Sequence, residues 1–151
     1  MLLTYMITMM FWVIIIFSKK RISNLEMYTT TLFALYFEAM VNVYLDLKYD
    51  LFGYFHKGVD WATLPIITLL YPAVNILFLN FYPYKRSTFI KALYILLSSI
   101  ISIFFEWVFL QTSFFYYNSW KLWYSLLLYP IIFITLLANL KLIRFFQSKD
   151  Q

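Results

Sequence analysis

Five apolar stretches, each close to the length that crosses a lipid bilayer, occupy most of this chain: about residues 2–17, 28–47, 63–81, 89–110 and 124–143. A spanning helix needs about 20 mainly apolar residues, because a rise of about 1.5 Å per residue must cross roughly 30 Å of hydrocarbon. Composition agrees with that reading. The chain is 64% hydrophobic and 13% charged, where a soluble domain carries about 25% charged residues. So few polar side chains cannot cover a water-facing surface. The predicted fold class is all-α, a polytopic transmembrane bundle of about five helices. The connections are short, so residues 1–151 read as a single bundle.

What the chain lacks narrows its chemistry. It has no cysteine, which removes disulfides, thiolate metal sites and cysteine nucleophiles. Its one histidine, His56, cannot make a multi-histidine metal centre within one chain. Its two glycines, Gly53 and Gly58, share a loop and build neither a phosphate cradle nor a GxxxG packing motif. The net charge of +5 is carried by short basic clusters between apolar runs. That is a signature of topology and not of a nucleic-acid face. The expectation is a protein that is not an enzyme, with no cofactor, no metal site and no nucleic-acid partner.

The first stretch has no basic residues ahead of it and no small-residue cleavage site behind it, so it reads as a retained anchor and not as a signal peptide. Lys19, Lys20 and Arg21 follow it. Those three, with Lys85, Arg86, Lys91, Lys141, Arg144 and Lys149, fall on one side of a five-span chain. Only Lys48, Lys57 and Lys121 fall on the other. Cytoplasmic loops carry the excess of Lys and Arg, which predicts the N-terminus outside and the C-terminus inside. The two outer loops are then YDLFGYFHKGVDW (49–61) and QTSFFYYNSWKLWY (111–124), both packed with aromatics. Tyr and Trp favour the headgroup level, so these loops read as an aromatic belt, or as a lid or partner surface that includes Trp61, Trp120 and Trp123.

Polar side chains recur on one face of several stretches. Glu38, Asn42 and Asp46 are spaced i, i+4, i+8, and Ser98, Ser102 and Glu106 repeat that spacing. Thr68 and Asn75 stand one heptad apart, and Thr135 and Asn139 are i, i+4. An acid at a helix centre costs about 2.5–3.5 kcal/mol on the insertion scale, and a good apolar residue returns only about 0.3–0.6. Glu38 and Asn42 are therefore expected to face other helices or water and not lipid. No Lys, Arg or His lies mid-stretch to neutralise Glu38. Two states follow: a protonated, hydrogen-bonded carboxyl, or one that faces a hydrated cavity or a cation. Glu106 and Asp46 could share such a cavity, near Asp60 and His56. The candidate intramembrane site is Glu38, Asn42, Asp46, Ser102 and Glu106.

A short internal repeat accompanies these acids. YFEAMV and FFEWVF each precede an aromatic loop, and TLLYPAVN and SLLLYPII each follow one. A duplication of this kind would relate the second and third stretches to the fourth and fifth by an axis along the membrane normal. Pro72 and Pro130 lie inside their stretches and are expected to kink them.

The stretch FEWVFLQTSFFYYNSWKLWYSLLLYP (105–130), above all Glu106-Trp107 with Trp120 and Trp123, resembles a family of small, functionally uncharacterised polytopic membrane proteins from spore-forming Firmicutes. YPAVNILFLNFYP, with Pro83 at its end, and the acid at Glu38 are similar to that family too. The resemblance covers most of the chain after the first stretch. It implies a bacterial cytoplasmic membrane and carries no activity with it. Two functions then compete. One is a structural or accessory bundle subunit, whose partner beyond the lipid bilayer is a second copy or another membrane protein. Small bundles often serve so, and this is the first expectation. The other is a small transporter, channel or sensor that uses an acid-lined intramembrane cavity.

Overall fold

A computed structural model describes residues 2–54, 61 and 63–149; His56, Lys57, Gly58 and Asp60 lie outside the described residues. Five α-helices form the bundle: α1 (Leu2–Phe17), α2 (Asn24–Asn42), α3 (Thr63–Phe81), α4 (Thr88–Leu110) and α5 (Leu122–Gln147). Three of them, α3, α4 and α5, are long and apolar enough to cross a membrane. Helix α1 is apolar but has 16 residues, about 24 Å at the usual rise. Helix α2 is the most polar of the five, with Glu26, Glu38 and three successive threonines.

Both ends of α2 differ from the stretch expected at 28–47. It starts earlier because Ser23 caps it. Ser23 Oγ accepts the Glu26 N–H at 3.2 Å, and Glu26 Oε2 accepts the Ser23 N–H at 2.6 Å. That reciprocal capping box satisfies two helix-end donors at once. At the far end α-geometry stops at Asn42, and Val43–Lys48 form a π-helical turn. A π turn takes more residues than an α turn. The spacing that aligned Asp46 with Glu38 and Asn42 no longer holds there.

Helix α3 is the centre of the bundle and packs on α1, α2 and α5, while α4 pairs with α5. Ile66, Ala73 and Leu79 on α3 are fully buried. Pro72 has no N–H to offer the Thr68 carbonyl. At the next residue the Leu69 carbonyl accepts the indole N–H of Trp12 from α1, at 3.1 Å.

The fold also contains a feature outside the all-α expectation. Strands β1 (Phe52–Tyr54) and β2 (Phe115–Tyr117) pair antiparallel, with Phe52 opposite Tyr117, Gly53 opposite Tyr116 and Tyr54 opposite Phe115. Three residues are too few for strand alternation to show in a sequence. At Gly53 the Tyr116 ring lies over the backbone: a Cβ there would stand 2.5 Å from Tyr116 Oη and 2.6 Å from Cζ, so any larger residue has to displace that ring. The Leu51 carbonyl anchors the end of the ribbon by accepting the N–H groups of Asn118, Ser119 and Trp120 at 2.9, 3.0 and 2.9 Å.

At the opposite, basic end three elements are tied together. Arg144 Nε of α5 donates to Glu26 Oε1 of α2 at 2.5 Å, and its guanidinium lies 4.6 Å from the Tyr84 ring centroid. Burial pushes the Tyr84 hydroxyl up to about 12, so it stays a donor, to the Leu79 carbonyl at 2.7 Å. The Asn80 amide holds the α1–α2 turn: it accepts from the Arg21 N–H at 2.6 Å and donates to the Lys19 carbonyl at 3.1 Å. Two apolar cores result. One, with Phe52, Ile66, Leu70, Phe109 and Phe114, lies under the ribbon; the other, with Ile76, Leu79, Phe133, Leu136 and Leu140, lies toward the basic end.

Candidate functional site

Residues of both cores, of all five helices and of both strands line a cavity of about 480 Å³ inside the bundle. Its polar groups include Glu38 and Asn42 from α2, Tyr54 from β1, Tyr71 and Asn75 from α3, Tyr94, Ser98, Ser102 and Glu106 from α4, and Ser125 and Tyr129 from α5. The rest of the wall is mainly aromatic and aliphatic.

Four of the five intramembrane residues singled out from the sequence, Glu38, Asn42, Ser102 and Glu106, therefore meet at one cavity. Asp46 does not. It sits in the π turn, away from the wall, and its carbonyl takes the Asp50 N–H at 2.8 Å. The aromatic loop residues separate as well. Trp61 is 82% exposed and Trp123 is 56% exposed. Trp120 turns inward, packs edge-on against Phe52 at 5.7 Å and lines the cavity. It is half-buried, with one side on the wall and the other on a shallow outer groove beside Leu51, Ser119 and Tyr124. His56 and Asp60 lie outside the described residues.

The two glutamates are held differently. Asn42, one turn on from Glu38, donates its amide N–H to Glu38 Oε1, the contact that i, i+4 spacing allows. Beside them the Tyr54 and Tyr71 hydroxyls hydrogen-bond each other at 2.7 Å. Glu106 is buried. Its Oε1 accepts from the Tyr117 hydroxyl and from Ser125 Oγ, the latter at 2.7 Å. Ser125 Oγ in turn accepts the Trp120 indole N–H at 2.9 Å. Burial first, and then the Glu106 carboxylate, push the Tyr117 hydroxyl well above its usual range. Tyr117 therefore remains a donor to Glu106.

Some buried polar atoms have no partner among the described residues. Asn75 is 2% exposed, and neither its Oδ1 nor its Nδ2 is hydrogen-bonded. Glu106 Oε2 is in the same position. Buried polar atoms are almost always paired, so each exception calls for an account.

The two halves of the site correspond through the ribbon. An antiparallel pair centred on Gly53 and Tyr116 makes Phe52 equivalent to Phe115 and Tyr54 equivalent to Tyr117. Glu38, Tyr54 and Tyr71-Pro72 in one half match Glu106, Tyr117 and Tyr129-Pro130 in the other, in the same chain order. The Phe-x-Tyr pairs carried this signal in the sequence, hidden among the many aromatics of the loops. Tyr54, Tyr71, Ser125 and Tyr129 are the site residues that spacing on single helices does not find; Asn75 was marked by its heptad spacing from Thr68.

Chemically, the cavity presents two carboxylates, an unpaired amide and aromatic rings, with no Lys, Arg or His on its wall among the described residues. Among the described residues no three acids or histidines gather as a metal site would require. Compared with protein-family models, curated proteins and solved structures, the chain matches none.

Proposed function

We propose that this protein is a small transporter of the bacterial cytoplasmic membrane that admits a positively charged ligand to the acid-lined cavity within its bundle. In this reading all five helices cross or enter the bilayer, N-terminus outside and C-terminus inside. The aromatic ribbon closes the outer end, and the Glu26–Arg144 pair secures the inner one. The chain is non-enzymatic and needs no cofactor.

The observation that carries the reading is the convergence of Glu38 and Glu106 on one cavity with no basic group on its wall among the described residues. Acids inside a membrane protein are costly and mark substrate or ion pathways by default. Glu106 in particular is oriented by Tyr117 and Ser125, with the Tyr129 hydroxyl beside it, and its second oxygen makes no hydrogen bond among the described residues. The competing reading is an accessory subunit that docks through its aromatic loops, and in it Trp120, hydrogen-bonded to Ser125 and packed on Phe52, would offer a partner only its outer edge. That reading keeps Trp61 and Trp123, which are exposed.

The test is proton and cation flux in liposomes that contain the purified protein, beside Glu38→Gln and Glu106→Gln. Flux in the parent that both variants lose is the expected result. Absence of flux in the parent, with both variants less stable, would make the acids interhelical clasps and favour the accessory subunit.

A further inference from the structure

The transport reading leaves the ligand open, and the wall of the cavity narrows it. We infer that the cavity recognises a hydrophobic organic cation: a singly charged, weakly hydrated head on a body of aromatic or branched aliphatic groups. This rests on the proposed function and goes beyond it by committing to a ligand class.

Three independent features lead there. The first is charge. The wall carries Glu38 and Glu106 and, among the described residues, no cationic side chain, so a bound anion would meet two acids and no opposite charge, whereas a cation would answer Glu106 Oε2. The second is the nature of the remaining surface. Phe11, Phe37, Phe105, Phe115 and Trp120 are among many rings on the wall. Ring faces attract cations best when those cations are weakly hydrated, as quaternary and bulky organic cations are. A hard inorganic ion would instead need about six oxygens around it, and no such acid cluster is found among the described residues. The third is the unanswered polarity. Asn75 is almost completely buried and lines the cavity with both amide atoms unpaired, and Glu106 Oε2 is likewise unpaired. The two oxygens, Asn75 Oδ1 and Glu106 Oε2, can accept from a ligand's N–H or face the positive hydrogens around a charged nitrogen or phosphorus, while Asn75 Nδ2 is a donor free for an acceptor on the ligand's body.

Size agrees. Pockets for drug-sized molecules run from about 300 to 1,000 Å³, and this one is about 480 Å³. Glu106 is pre-organised, because Oε1 is already fixed by Tyr117 and Ser125, so little ordering is needed when the cation arrives.

The experiment compares two ions of nearly the same size and shape and opposite charge, tetraphenylphosphonium and tetraphenylborate, by equilibrium dialysis against the protein in nanodiscs. Empty nanodiscs give the lipid background. The expected result is saturable binding of the cation at one site per chain, with the anion bound no more than by empty nanodiscs. Glu106→Gln and Glu38→Gln should each weaken the cation at least about tenfold, the loss of one charge contact. The two-ion comparison uses the unaltered protein, so a variant that fails to fold does not remove the test. Equal uptake of both ions would show apolar partition only and overturn the inference. So would no uptake of the cation by folded protein. If proton or potassium flux persists in liposomes while the organic cation does not bind, this inference falls and the transport reading stands. If neither is seen, both fall.

Discussion

At the scale of single residues the site is a set of polar groups in an apolar setting, and Asn75 is the sharpest case. An unpaired buried polar group costs about 1–3 kcal/mol, and Asn75 has two unpaired atoms. Leucine has a similar volume and no polar atoms, so Asn75→Leu is expected to raise stability by about 1–2 kcal/mol. The same change should weaken ligand uptake. Thermal unfolding in detergent, beside binding, checks both; a lowered midpoint would mean that the amide is structurally engaged. Ser125→Ala should act the other way. It removes a donor to Glu106 and the acceptor of the Trp120 indole, at a cost of about 1–3 kcal/mol, and the Trp emission should shift as that indole loses its partner. How much of this the sequence disclosed follows from distance along the chain. Glu38 and Asn42 are one turn apart, so their contact is legible from spacing. Glu106 is legible as a costly acid. Its partners Tyr117 and Ser125 come from other elements, and no local spacing predicts a bond that the ribbon creates. Asp46 is absent from the cavity lining, and the i+8 spacing does not foretell its place because that spacing assumes α-geometry, which ends at Asn42.

At the scale of elements two devices hold the ends of the bundle. The ribbon depends on Gly53, over which Tyr116 lies. Gly53→Ala should cost about 1–3 kcal/mol, the usual penalty for overpacking. In a Tyr116→Ala background the same change should cost little, because the obstructing ring is gone. A double-mutant cycle on unfolding would read that coupling, and additive costs would refute the packing account. At the other end Glu26 serves two elements, capping α2 and pairing with Arg144 of α5. Glu26→Ala should cost about 2–3 kcal/mol, the sum of a lost cap and a lost charge-assisted hydrogen bond. Glu26→Gln keeps a capping acceptor and should cost less. The apolar stretches foretold α1 and α3 closely, since length and hydropathy alone set them. The start of α2 was missed because Ser23 and Glu26 extend it by capping and not by apolar pattern. The ribbon was missed because six residues in two separate loops carry no periodicity.

At the scale of the whole molecule, the surface explains why the chain must live in an apolar medium. Phe89 is 74% exposed, and Phe104 and Ile131 are also open on the outside of α4 and α5. Exposed apolar area of that extent needs lipid or a partner to cover it. Meanwhile the acids point inward, which is the arrangement the cost of a lipid-facing carboxylate demands. Orientation is then the decisive global property, because it determines whether the ribbon or the Glu26–Arg144 end faces the cytoplasm. The absence of cysteine makes single-cysteine labelling clean. Ser87 and Ser119 are exposed and flank the two ends of α4, and Ser148 is exposed beyond α5. With the basic end inside, an impermeant maleimide should label Ser119→Cys in intact cells, and should label Ser87→Cys and Ser148→Cys only after the membrane is opened. The reverse pattern would invert the topology and put the ribbon on the cytoplasmic side, where it would gate exit and not entry. Equal labelling at Ser87→Cys and Ser119→Cys would mean that α4 does not cross, and a bundle whose most exposed apolar helix stays out of the bilayer could not be the transporter proposed for it.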